Sequence, residues 1–164
     1  HIIPAGQLRE TITSGLNRMD LLISVGSTES QEKFREKYKY FISKKDHIQA
    51  NIVPILTGLD WKGLRVFAFA GIGNPEKFFN TLRSLGADVV LTKKLADHKR
   101  FDDKLLSRLS KEAIKLNAQL VTTEKDAIRL PLSFRDKILT LPIRLEINKW
   151  GLLDEALQKI SCKS

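Results

Sequence analysis

Residues 64–160 alternate apolar runs with helical segments, and this alternation limits the fold more than any other feature of the sequence. Strands are predicted at residues 64–70, 88–92, 119–122 and 137–141. Helices are predicted at residues 76–85, 101–117, 124–130 and 152–160. Strands that alternate with helices pair in parallel through right-handed crossovers. The sequence therefore predicts an α/β fold, with a three-layer, parallel-sheet domain in the C-terminal part.

The first 59 residues are predicted to form a separate part of the chain. The apolar run at residues 21–25 ends at Gly26, which predicts a buried strand. Ser27 offers capping chemistry for a helix that runs to about residue 45. Residues 49–56 predict an edge strand or an extended linker, because Pro54 has no amide hydrogen for a strand ladder. A turn at residues 57–60 marks the predicted boundary, which divides the chain into residues 1–59 and 60–164.

The charge and composition of the chain narrow the class of protein. Its 28 Lys and Arg against 19 Asp and Glu give a net charge of +9, which favours phosphates or acidic membrane surfaces as partners. The single cysteine, Cys162, excludes an internal disulfide framework and a cysteine-based zinc site. Because no run of 18 apolar residues occurs, we predict a soluble or peripheral protein. The chain opens at His1 rather than Met, so we expect a fragment or a domain of a longer protein.

Polar residues follow three of the predicted parallel strands. In an open parallel sheet, ligands bind outside the carboxyl ends of the strands, so these three loops form the candidate site. The loops carry Gly71, Gly73 and Asn74 in the first, Asp97 and His98 in the second, and residues 122–126, with Lys125, in the third.

Each loop has a structural and a functional interpretation. Gly71 and Gly73 either let the chain turn sharply into a helix or leave bare amides for an anion. They lack the third glycine of the dinucleotide fingerprint, which weakens an oxidoreductase assignment. His98 can exchange a proton near neutral pH with Asp97 holding its tautomer, or Asp97 can cap the next turn. Lys125 opposes the helix dipole that the capping residues around it favour, which makes it the unusual residue of its loop.

The spacing of the histidines indicates no metal site. The three histidines, at positions 1, 47 and 98, share no ligand spacing, and His47 is predicted to lie in a solvated loop. The motif Gly-x-x-x-x-Gly-Lys-Ser/Thr is also absent, so a P-loop for ATP is not contained in these residues. Aromatic residues make up only 7% of the chain, with no helix-turn-helix pattern, which argues against a nucleic-acid partner.

Four segments together resemble the C-terminal half of the tetraacyldisaccharide 4′-kinase family, the lipid A 4′-kinases of Gram-negative bacteria. They occur in order at residues 4–10 (PAGQLRE), 68–79 (AFAGIGNPEKFF), 97–98 (DH) and 122–130 (TTEKDAIRL). Gln7 and Thr11 stand where the family commonly has proline. These differences concern the stiffness of the backbone and put no chemistry in doubt.

The resemblance implies a two-domain, P-loop-type kinase with its active site in the cleft between the domains. It implies transfer of the γ-phosphoryl group of ATP, with Mg²⁺, to the 4′-hydroxyl of a tetraacylated glucosamine disaccharide phosphate. Residues 1–59 would be the last part of the nucleotide-binding domain, and residues 60–164 the smaller C-terminal domain. The P-loop and the Mg²⁺ carboxylates would belong to the family's N-terminal half, so we expect this chain alone to be inactive.

The resemblance also implies roles for individual residues. His98 and Asp97 are expected to be catalytic, and Arg9 and Glu10 to contact the sugar or its phosphate, unless the latter two form an ordinary surface ion pair. Asn74 and Lys125, on the same predicted sheet edge, are expected to bind substrate. The protein is expected at the cytoplasmic side of the inner membrane, as a peripheral protein. The alternative is a basic α/β module that binds phosphorylated ligands or nucleic acid.

Overall fold

The computed structural model describes residues 9–97 and 100–161, which form two compact units. The first unit contains the described residues up to Val53 together with those from Leu145, and the second contains residues 54–144. In chain order the elements are α1 (Ile12–Arg18), β1 (Leu21–Val25), α2 (Thr28–Lys37), α3 (Lys39–Ile42), β2 (Asp46–Pro54), β3 (Arg65–Ala70), α4 (Pro75–Ser84), β4 (Asp88–Lys94), α5 (Asp103–Lys115), β5 (Gln119–Thr123), α6 (Glu124–Ala127), α7 (Leu132–Arg135), β6 (Leu139–Leu141), β7 (Ile143–Ile147) and α8 (Trp150–Ser161).

The first unit contains a three-stranded sheet in the order β1-β2-β7. β1 and β2 are parallel, with Val25 beside Ala50. β7 runs in the opposite direction to β2, because the Asn148 amide donates to the Gln49 carbonyl while residue 55 pairs with residue 142. The prediction of an edge strand near residues 49–56 is wrong, since β2 lies between two partners. Pro54 is tolerated because it is the last residue of the strand.

The pairing of β7 with β2 also explains how the units divide. The sequence placed a boundary at residues 57–60 and assigned residues 145–164 to the second domain. In the structure, α8 follows β7, and the residues from Leu145 onward group with the first unit. The first unit is therefore discontinuous in sequence.

The second unit contains a four-stranded sheet in the order β4-β3-β5-β6, with every neighbouring pair parallel. Helices cover both faces, which confirms the predicted three-layer α/β class. On one face, β3 and α4 share a buried cluster that includes Val66, Phe79 and Leu82, and on the other face β3 and α5 share one that includes Phe67 and Leu106. Each fully buried side chain of this size stabilises the fold by roughly 1.5–3 kcal/mol.

Local signals fixed most of the element ends. α5 begins at Asp103 rather than residue 101, because the Asp102 side chain caps it by accepting from the Leu105 amide at 2.7 Å. The helix predicted at residues 27–45 is two helices, α2 and α3, which separate at Tyr38.

Among the helices of residues 9–97 and 100–161, none has the length and hydropathy needed to cross a membrane.

Candidate functional site

Three polar turns meet at the carboxyl edge of the sheet in the second unit. They are the turn after β3 with Gly71, Gly73 and Asn74, the turn after β4 with Leu95–Asp97, and the start of α6 with Lys125 and Asp126. We call these residues the carboxyl-edge cluster. The sequence predicted that these turns lie together, because the carboxyl ends of neighbouring parallel strands share one edge.

Asp126 lies at the centre of the carboxyl-edge cluster and is fully buried. Its Oδ2 accepts hydrogen bonds from the Gly71 amide at 2.8 Å and from the Thr123 hydroxyl at 3.1 Å. Its Oδ1 accepts from the Arg129 guanidinium at 3.3 Å. These donors compensate for the cost of burying a carboxylate. From the sequence, an acidic residue in the first turn of this helix is explained by the helix dipole, so this role of Asp126 was missed. Thr123 caps α6 by accepting from the Asp126 amide at 3.2 Å, whereas the contact of Asp126 with Gly71 joins residues 55 positions apart.

Gly71 is closely packed, whereas Gly73 is not. A Cβ atom on Gly71 would lie 3.3 Å from the Ala96 carbonyl oxygen and 3.4 Å from Asp126 Oδ1. A Cβ atom on Gly73 would meet no described atom within 4 Å. The structural interpretation therefore accounts for Gly71, while packing gives no reason for a glycine at position 73.

Asn74, Asp97 and Lys125 are exposed members of the cluster. The Asn74 side chain caps α4 by accepting from the Lys77 amide at 3.4 Å. Lys125 Nζ lies 3.4 Å from Asp97 Oδ1, with the two side chains 51% and 45% exposed. An ion pair this exposed contributes at most about 1 kcal/mol, so Lys125 can turn to a ligand at small cost. His98, the predicted catalytic residue, lies outside the described residues.

Arg9 and Glu10 belong to the first unit. Arg9 is exposed, and Glu10 accepts a hydrogen bond from the guanidinium of Arg18, which is the last residue of α1. The structure thus brings Glu10 to a cation of α1. The PAGQL segment that precedes Arg9, residues 4–8, lies outside the described residues.

A polar network in the first unit includes His47, for which the sequence predicts a solvated loop. That prediction is wrong, because His47 lies in β2 and its Nε2 is 2.8 Å from the Ser24 hydroxyl. The Gln31 amide nitrogen donates to the carbonyls of Ala50 and Gly26, which fixes Gln31 Oε1 as the acceptor for Ser24. Since Ser24 has one hydrogen, His47 Nε2 must donate to Ser24. This arrangement is not a serine nucleophile activated by histidine.

The surroundings of His47 lower its pKa. The largest cause is burial, which disfavours the charged imidazolium, and the positive charges of Arg35 and Lys149 add to it. A polar pocket of about 430 Å³ lies beside this network between α2, β2 and the end of β7. None of the predicted site residues lines it.

The described residues contain no cluster of three or more metal-ligand side chains. No group of three or more carboxylate, histidine or cysteine side chains in the described part of the chain is arranged to hold a metal ion. In the carboxyl-edge cluster, both oxygens of Asp126 already accept from protein donors, and the exposed Asp97 pairs with Lys125. A single carboxylate would need further ligands from elsewhere, because Mg²⁺ requires octahedral oxygen coordination.

Comparison with known proteins gives one consistent family. The family model described as "Tetraacyldisaccharide-1-P 4'-kinase" matches residues 1–161. A tetraacyldisaccharide 4′-kinase of Jannaschia sp. (strain CCS1) is 48% identical over 97% of this chain and 48% of the relative. One of Dinoroseobacter shibae is 43% identical over 97% of this chain and 47% of the relative. The chain thus spans about half the length of the curated relatives it matches.

A solved structure has a similar fold. The crystal structure of the "apo" form of LpxK from Aquifex aeolicus in complex with ATP matches with a TM-score of 0.64 and 23% identity. The match covers 97% of this chain and 48% of that one.

Proposed function

Because the chain belongs to the tetraacyldisaccharide-1-P 4′-kinase family, we propose that it takes part in transfer of the γ-phosphoryl group of ATP to the 4′-hydroxyl of a tetraacylated glucosamine disaccharide phosphate. The observation that carries the proposal is the family match, which extends over residues 1–161 and so includes both units. The bound ATP of the Aquifex aeolicus protein supports ATP as the phosphoryl donor. Mg²⁺ would accompany the ATP, as the family resemblance implies.

We propose that the carboxyl-edge cluster supplies this chain's share of the active site. Phosphoryl transfer depends mainly on positioning and charge compensation. Lys125 can leave its exposed pair with Asp97 to neutralise a phosphate, and Asn74 and Gly73 are exposed beside the start of α4. Asp97 and His98 would act on the proton of the attacking hydroxyl.

Arg9 and Glu10 are proposed to contact the sugar or its phosphate. Arg9 is exposed and can donate in a planar, two-point geometry to phosphate oxygens. Glu10 shares one oxygen with Arg18, so its other oxygen would accept from a sugar hydroxyl.

The substrate and the charge of the chain favour work at a membrane surface. We propose that the protein acts as a peripheral protein at the cytoplasmic side of the inner membrane. Its net charge of +9 is attracted to anionic lipid headgroups, by about 1 kcal/mol for each basic residue near the surface. Binding to vesicles with anionic lipid, and not to neutral vesicles or to duplex DNA at the same salt, is the expected result. Equal retention by DNA would favour the alternative of a general phosphate-binding module.

The activity is tested by supplying the other half of a relative. We define the joined enzyme as the N-terminal half of the Jannaschia sp. relative followed by this chain. The joined enzyme should phosphorylate the tetraacyldisaccharide phosphate with ATP, whereas the 164-residue chain alone should not, because it contains no P-loop motif. Phosphorylation by the chain alone would contradict the proposal that the ATP-binding P-loop must come from the N-terminal half.

A substitution at His98 tests the catalytic assignment within the joined enzyme. A histidine that moves a proton typically contributes a hundredfold or more, so His98→Ala should lower kcat by at least about a hundredfold. The KM for the lipid should change much less. His98→Gln should restore activity only if a hydrogen bond suffices. Near-normal kcat of His98→Ala would refute the assignment.

A further inference from the structure

Asp126 connects the turn that begins α6 to the turn that follows β3. The Gly71 amide donates to Asp126 over 2.8 Å, although the two residues are 55 positions apart in sequence. Gly71 in turn lies against the Ala96 carbonyl of the turn after β4, close enough that a Cβ atom would be only 3.3 Å away. The Leu95 amide donates to the Ala70 carbonyl at 2.9 Å, which ties the same two turns together. Asp126 is thus in contact with the point at which all three turns meet.

Asp126 also reaches the far end of the segment that follows β4, through Arg129. The Arg129 guanidinium donates to Asp126 and lies over the ring of Phe101, 5.2 Å from its centroid. Phe101 is buried and packs edge-on against Phe69 of β3. One carboxylate therefore orients the cation that covers Phe101, while Lys125, its neighbour in sequence, pairs with Asp97.

We propose that Asp126 is a positioning residue for phosphoryl transfer, which sets the relative placement of the Gly71–Asn74 turn, the Asp97 turn and the start of α6. Asp126 itself is fully buried, so it acts through the groups it holds and not on the substrate. The proposal rests on the proposed function. A displacement of about 1 Å in a catalytic group can lower turnover a hundredfold, so a residue that holds these turns in place should affect the rate.

The test is Asp126→Asn in the joined enzyme. Asparagine keeps one acceptor oxygen and adds an NH₂ group, so at least one of the Gly71, Thr123 and Arg129 donors would face another donor. We expect kcat to fall at least about tenfold while the KM for ATP stays within about threefold, as for loss of an interaction realised in the transition state. The matched control is Asp88→Asn, which removes the same charge at the amino end of β4, where Asp88 pairs with Arg65. It should leave kcat within about twofold.

A readout independent of activity separates this proposal from the proposed function. In the 164-residue chain, Asp126→Asn should change amide chemical shifts at residues 71–74, 95–97 and 123–129 and leave the α5 core unchanged. If the unsubstituted joined enzyme is inactive, the proposed function fails, and these shifts still report whether Asp126 holds the three turns. Unchanged kcat in Asp126→Asn, or unchanged shifts in the two distant turns, would overturn the positioning role.

A second variant decides the question if Asp126→Asn does not fold. Arg129→Met leaves Asp126 the Gly71 amide and the Thr123 hydroxyl as donors, keeps the carboxylate itself, and removes a side chain that is 26% exposed. We expect kcat to fall about threefold or more at a temperature where the variant is folded, and the melting temperature of the second unit to fall as well, because the buried Asp126 carboxylate loses its cation. Unchanged kcat in Arg129→Met would then refute the proposal.

Discussion

Replacing Gly71 by alanine tests whether the three turns are as tightly packed as the structure indicates. The added Cβ would lie 3.3 Å from a backbone carbonyl, 3.4 Å from the buried Asp126 carboxylate and 3.7 Å from Leu95 Cβ. The nearest atom belongs to the backbone and the next to a carboxylate held by three donors, so these neighbours must shift by a few tenths of an ångström. Overpacking of this kind costs about 2 kcal/mol. Gly71 is not among the glycines with positive φ, so alanine can adopt its backbone conformation. Alanine also lowers the conformational entropy of the unfolded chain, which stabilises the folded chain by about 0.7 kcal/mol.

For Gly71→Ala, the free energy of unfolding should therefore fall by about 1.3 kcal/mol. This lowers the melting temperature of a unit of this size by about 5–10 °C. Trp61 is buried in the second unit and reports its unfolding by fluorescence once Trp150 is replaced by phenylalanine. Gly73→Ala is the matched control, because its Cβ meets no described atom within 4 Å. The control should be as stable as the unsubstituted chain, or more stable by up to about 1 kcal/mol. Equal stability of the two alanine variants would refute the close packing at Gly71.

Three further outcomes follow from the contacts described. Asn74→Ala should destabilise the second unit by about 0.5–1 kcal/mol in urea titrations, because the cap of α4 is lost, and an unchanged midpoint would contradict the capping role. The pKa of His47 is lowered in the folded chain, so the unfolded chain binds more protons as pH falls below about 6.5, and stability should decline there. His47→Gln should remove that part of the decline in melts between pH 7.5 and 5.5, and identical profiles would show that His47 does not cause it. Lys125→Ala should change stability by less than about 1 kcal/mol yet lower kcat/KM of the joined enzyme, and an unchanged kcat/KM would remove Lys125 from the site.

Elements with strong local signals were predictable from the sequence. α4 has Asn74 as its cap, Pro75 at its first position and Gly86 with φ of 87° just beyond its end, each visible in the sequence. β7 was missed, although Ile143, Leu145 and Ile147 alternate with charged residues as in a strand. Its partner, β2, lies about 90 residues earlier, and no local pattern shows that pairing.

In the candidate site, too, the positions of some residues could be predicted from the sequence, whereas the contacts between distant residues could not. The sequence predicted that Asn74, Asp97 and Lys125 share one edge, because the position of a polar turn after a parallel strand follows from the strand order. It did not predict that Asp126 is fully buried or that it binds Gly71, since a carboxylate in the first turn of a helix is usually solvated. The partial burial of His47 in β2 was missed for a related reason. Its charged neighbours in sequence suggested a loop, whereas its hydrogen-bond partner Ser24 lies on another strand.

The discontinuous first unit has a consequence for the order of events during synthesis. Residues 54–144 leave the ribosome before the strand that β2 needs on its second side, so the second unit can fold while the first is still incomplete. Once folded, the second unit holds its own two ends together, with the Ile55 amide 2.9 Å from the Pro142 carbonyl. Closing an unstructured loop of that length would cost on the order of 4 kcal/mol in chain entropy. Prior folding of the second unit removes most of that cost, so β7 reaches β2 as a nearby strand and not as the end of a long random coil.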